Sequence, residues 1–173
     1  MLPFSLETSD TITEVFVANC SRIYRMDHNG YHGIHHWTRV LHNGRLLTKE
    51  TGANLKVVEL FCLLHDTQRL NEDYDRQHGH RASLYAQSIR GVLLDATDAE
   101  MDLLMEACTY HSDGHTDGDI TVQTCWDADR LDLGRVEYFS PHQINLINIG
   151  CRPEPEAFKS SAKSINNHSW LFD

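Results

Sequence analysis

The 173 residues include 15 Lys and Arg against 25 Asp and Glu, a formal net charge of −10, with 40% hydrophobic and 23% charged residues. That length suits one domain, 1–173, able to bury a core without disulfides, and the charge excludes nonspecific affinity for nucleic acid or anionic membrane, which needs excess Lys and Arg. The longest strongly apolar run, Val57 to Leu64, is too short to span a bilayer, and Met1 to Arg25 shows no secretory pattern, so the expected location is cytoplasmic.

A period of 3.6 dominates the hydrophobic pattern and β-type alternation is scarce, which predicts an all-α, single-domain helical bundle. In chain order the expected helices cover about 9–26, 33–51, 54–66, 78–92, 97–111, 120–137 and 155–165. Asn54 is placed to cap the third, and Thr97 with Glu100 forms a T-x-x-E capping box on the fifth. The third is apolar on nearly all sides from Leu55 to Leu64, which marks it as the central helix. Segments 67–77 and 112–119 are polar and read as loops. The five cysteines, Cys20, Cys62, Cys108, Cys125 and Cys151, form no CxxC pair, which argues against a disulfide framework or a thiolate zinc site. Most fall on apolar faces, where a free thiol acts as a small hydrophobe.

Twelve histidines are unusual beside 15 Lys and Arg. Helix geometry, at about 100° per residue, shows where several point. Asp129 interrupts the stripe of Val122, Cys125, Trp126, Leu133 and Val136, whereas Asp127 points the other way. His111 continues the stripe of Met101, Leu104, Met105 and Cys108. His78 shares a face with Ala82, Ala86, Ile89 and Leu93, while His80 is turned away. His36 borders the stripe of Val40 and Leu47, with His35 outward, and His65 and Asp66 close the buried central helix. Taken singly, His36, His78 and His111 fit a satisfied core histidine, and Asp129 fits an acid paired to an arginine. Six inward imidazole and carboxylate groups without matching buried cations are costly together, and a metal ion among them removes that cost.

The set His36, His65-Asp66 and Asp129 resembles the H…HD…D signature of the HD-domain superfamily of metal-dependent phosphohydrolases. The surroundings agree: His36-Trp37-Thr38-Arg39-Val40, Leu63-Leu64-His65-Asp66-Thr67 and Asp127-Ala128-Asp129-Arg130-Leu131-Asp132 are similar to its motifs in order, over residues 36 to 132. His78 and His111 stand where two-metal members carry additional histidines, and His115 is a further candidate. The chain lacks the adjacent histidines and GYP tripeptide of members that cleave cyclic dinucleotides.

The resemblance implies one or two divalent ions. His36, His65, Asp66 and Asp129 would hold the first, with Asp66 bridging to a second on His78 and His111. Imidazole and carboxylate donors suit Mn, Fe, Co, Ni, Zn or Mg. Arg69 stands where a basic residue often follows the HD doublet, and with Arg81 it is a candidate for holding phosphate oxygens. Arg130 is expected to pair with Asp127 or Asp132, and Asp113 and His115 lie in a polar loop. The implied activity is hydrolysis of a small phosphorylated substrate, a nucleotide among the candidates. The same ligands also suit an HD-fold di-iron oxygenase or a noncatalytic metal- or ligand-binding signalling domain.

Overall fold

In the computed structural model, the described residues are 6–135. Their α-helices are α1 (Glu14–Ile23), α2 (Ile34–Thr51), α3 (Leu55–Leu64), α4 (His78–Ile89), α5 (Asp98–Tyr110) and α6 (Ile120–Arg130), followed by a 3-10 helix at Leu131–Arg135. No strand occurs among the described residues. The expected helix at 155–165 and Cys151 lie outside them.

Side-chain oxygens stop the chain from fraying at several helix starts. Thr13, Asn54 and Asp119 accept backbone N–H groups of α1, α3 and α6. Thr97 and Glu100 make the reciprocal capping box on α5. Each such cap is worth about 1 kcal/mol. The first helix is shorter than the 9–26 expected, because Ser9 folds back to accept the N–H groups of Thr11 and Ile12. That turn uses up the residues ahead of Thr13, and the backbone is extended again at Tyr24. α4 stops at Ile89 rather than 92, where Gly91 (φ 76°) turns the chain and donates to Leu94 O.

α3 is the axis of the bundle. Every residue from Val57 to Leu64 is buried, and the helix touches α1, α2, α4, α5 and α6. Its polar exception is Glu59, buried but satisfied by Arg45 Nε at 2.8 Å and Ser9 Oγ at 2.7 Å. α2 packs on α3 and α6, and α4 lies mainly on α5. Trp37, Trp126, Phe16 and Phe61 fill the core, each worth roughly 2–3 kcal/mol of apolar burial. Cys20, Cys62, Cys108 and Cys125 are all buried free thiols, and burial raises their pKa values, which keeps them protonated and inert. None of the helices among the described residues is long and apolar enough to cross a membrane.

Candidate metal centre

Helix ends gather the chemistry-bearing residues at one end of the bundle. His36 is in the first turn of α2, and His78 is the first residue of α4. His65 caps the C-terminus of α3 with Asp66 directly after it, His111 caps that of α5, and Asp129 is in the last turn of α6. Three helices thus present their C-terminal ends there, and the partial negative charge of those ends favours a cation.

All six expected residues meet, in two groups that share Asp66. In the first, His36 Nε2 lies 3.0 Å from His65 Nε2, 3.5 Å from Asp66 Oδ2 and 3.3 Å from Asp129 Oδ1. His65 Nε2 lies 3.6 Å from Asp66 Oδ2 and 3.7 Å from Asp129 Oδ1. In the second, His78 Nε2 is 2.8 Å from His111 Nε2 and 3.2 Å from the other oxygen of Asp66, Oδ1, which is 3.6 Å from His111 Nε2. All are buried except Asp129, whose side chain keeps 16% exposure.

The opposite nitrogen of each ring shows what these atoms are prepared to do. His36 Nδ1 bonds Asp132 Oδ2 at 2.6 Å, His65 Nδ1 bonds Phe61 O at 3.1 Å and His111 Nδ1 bonds Cys108 O at 2.8 Å. His78 Nδ1 bonds Asp75 O. A carbonyl or carboxylate oxygen can only accept, so each Nδ1 is the donor and carries the ring's proton. In the neutral ring the Nε2 lone pair then points inward. Two inward lone pairs facing each other at 3.0 Å or 2.8 Å repel unless a proton or metal ion stands between them. Tying Nδ1 to an outer acceptor is how proteins orient imidazole for a metal. The donor set of imidazoles and carboxylates fits a divalent ion.

The charges show the same tension. Burial opposes a proton on His36, but the bonds to Asp129 and Asp132 prevail and lift its pKa to about 9. At His65 burial prevails and lowers it to about 4. Burial also opposes the charge of Asp66 and Asp129, yet the surrounding imidazoles hold both carboxyls below the usual range, Asp66 far below. The two carboxylates thus favour positive charge at His36 Nε2.

Two contributors escaped the sequence reading. His32, in the loop before α2, places Nδ1 2.8 Å from Asp66 Oδ2. Its position depends on Gly33, where a Cβ would stand 2.2 Å from His28 O. Of the two acids expected as partners of Arg130, Asp127 bonds it, and Asp132 has a further role. It braces His36 and accepts from Arg39 Nε at 2.5 Å. Arg130 bonds Asp127 Oδ1 at 3.3 Å and the carbonyl of His115. Asp127 is itself buried rather than outward.

The expected phosphate-binding arginines are both engaged by protein acceptors. Arg69 is buried and turned onto the cluster, with Nη1 3.3 Å from Asp66 Oδ1 and 3.1 Å from His78 Nε2. Arg81 ties loop 67–77 together through Gln68 O at 2.9 Å and Asp75 Oδ2 at 2.5 Å. Asp113 and His115 are exposed and line a hollow of about 630 Å³ with Tyr74, Arg76, Gln77 and Ser112. Gln77 and Ser112 directly adjoin His78 and His111 in the chain, so the hollow borders the second group.

No protein-family model matches the chain, and no curated protein does. Among solved structures, the crystal structure of a predicted HD superfamily hydrolase from an uncultured Thermotogales bacterium superposes with a TM-score of 0.59. The two share 19% sequence identity, over 88% of this chain and 87% of the other. The chain has the HD-domain fold. Its buried histidines and aspartates form groups able to hold a metal ion: His36, His65 and Asp129; Asp66, His78 and His111; and His32, His36 and Asp66. At one end of that fold His36, His65, Asp66 and Asp129 face one another.

Proposed function

We propose that this chain is a metal-dependent phosphoric ester hydrolase acting on a small phosphorylated substrate. The observation that carries the reading is the meeting of His36 Nε2, His65 Nε2, Asp66 Oδ2 and Asp129 Oδ1, with both rings tied outward through Nδ1. Those four residues would hold the ion. A divalent ion bound there supplies Lewis acidity, polarising a phosphoryl oxygen and making water acidic enough to attack near neutral pH.

The protein's own groups account for the rest. Asp132 and the Phe61 carbonyl hold the two imidazoles in the ligating tautomer. Asp66 and Asp129 supply negative charge that a cation neutralises, which reverses the local field of an otherwise acidic protein. Asp129, partly exposed, stands on the side of the cluster open to water and substrate. The hollow beside the second group has a volume suited to a small ligand. In it Arg76 offers a cation for phosphate oxygens and Tyr74, 82% exposed, a flat face for a base or sugar. The solved relative's description as a predicted hydrolase agrees with this reaction class.

The test is hydrolysis of phosphomonoesters and phosphodiesters by chelated protein reloaded in turn with Mn, Fe, Co, Ni, Zn and Mg. Activity is expected with at least one metal, with loss of both bound metal and turnover in Asp129→Ala. Wild-type rate and metal content in that variant would sink the reading. Iron-dependent oxygen consumption without hydrolysis would replace it with an oxygenase.

A further inference from the structure

Arg69 takes up two of the three atoms that the second ligand group offers. Its Nη1 lies 3.1 Å from His78 Nε2 and 3.3 Å from Asp66 Oδ1. Imidazole Nε2 has a single in-plane lone pair, and His78 Nδ1 already donates to Asp75 O. Guanidinium nitrogen can only donate, so Arg69 at 3.1 Å claims the His78 lone pair alongside His111 Nε2 at 2.8 Å. A lone pair given to an N–H cannot also bind a metal ion.

The charge of Arg69 points the same way. Guanidinium carries a positive charge and offers no lone pair, so it can neither ligate an ion nor tolerate one closely. A divalent ion on Asp66 Oδ1 would share that oxygen with a like charge inside a buried site, where repulsion is weakly screened. Nor is the side chain a free arm. Nη2 donates to Asp73 O at 2.9 Å and Nε to Asn71 O at 3.4 Å, which fastens the guanidinium to loop 67–77.

We propose that Arg69 stands in for a second metal ion in this chain. The centre holds one ion, on His36, His65, Asp66 and Asp129, and the guanidinium supplies the second positive charge at Asp66. His78 and His111 then serve to seat Arg69 and Asp66 rather than to ligate. This rests on the metal-centre reading above and adds the number of ions to it.

Chelated protein equilibrated with Mn²⁺ is the test, read by ions bound per chain and by the electron paramagnetic resonance of the bound ion. Wild type is expected to hold one ion with the six-line spectrum of isolated Mn²⁺. Arg69→Met, with helix content checked by circular dichroism, is expected to hold two, with the broadened spectrum of a coupled pair. Two ions in wild type would overturn the proposal and leave the metal centre standing; none would overturn both. A folded Arg69→Met with only one ion also overturns it. Should that variant not fold, Arg69→Gln, read the same way, decides: a folded variant with two ions supports the proposal, and a folded variant with one refutes it.

Discussion

Asp66 gives one oxygen to each ligand group, so its carboxylate must stay ionised in a place where burial resists charge. His36 feels the opposite pull and holds a proton up to a pKa of about 9. An ion can bind only the unprotonated Nε2, so binding below that pH releases a proton. Metal affinity is therefore expected to climb with pH, roughly tenfold per unit from this group alone, and to level off near pH 9. Isothermal titration at several pH values measures the slope, and a flat or falling profile would remove His36 from the ligand set. Asp132 is the anchor behind it. Asp132→Asn is expected to weaken metal binding roughly 10- to 100-fold with helix content unchanged, since it frees the His36 ring to turn. Equilibrium dialysis would show it, and an unaltered affinity would mean that ring orientation is held elsewhere. Asp129 was legible from sequence because a carboxylate within an apolar stripe needs a partner. His32 was not, because it lies in a short glycine-bounded loop with no periodicity to betray a facing side.

Elements matter here chiefly through their ends. α4 reaches α5 closely enough that a Cβ on Gly79 would stand 2.3 Å from the Cys108 carbonyl and 3.2 Å from His111 Cε1. Backbone cannot yield as a side chain can, so the two helices would have to separate. Gly79→Ala is expected to lower stability by about 1–3 kcal/mol, despite the better helix propensity of alanine. Urea denaturation would measure that loss, and a neutral or stabilising result would show that the α4–α5 contact is looser than drawn. Helix existence could be read from the spacing of apolar residues, since the helices around α3 each bury one side against it or a neighbour, and α3 is buried on nearly all sides. Ends were harder, because local side-chain bonds decide them. Ser9 is one example. The winding after Arg130 is another: the change to a 3-10 helix advances each residue by about 120° instead of 100°. The α-helix expected to run to 137 therefore ends at Arg130.

For the molecule as a whole, an ion that binds only the folded centre must stabilise the fold. At a free metal concentration a hundred times Kd the gain is about 2.7 kcal/mol. For a chain of this size that raises Tm by roughly 5–10 °C. Adding a chelator is expected to reverse the shift, as differential scanning calorimetry would record, whereas Tm indifferent to metal and chelator would mean that nothing binds the native cluster. The helix directions have a practical side as well. Measured along α2 at 1.5 Å per residue, His36 and the turn at Gly52 are about 24 Å apart. Gly91, at the far end of α4, is likewise distant from His78. Both glycines hold a positive φ that a side chain would strain, but Glu50 and Val92 beside them are exposed. That rim is where a fluorophore, an affinity peptide or a spin label belongs: a reporter carried there could follow events at the opposite pole without touching them.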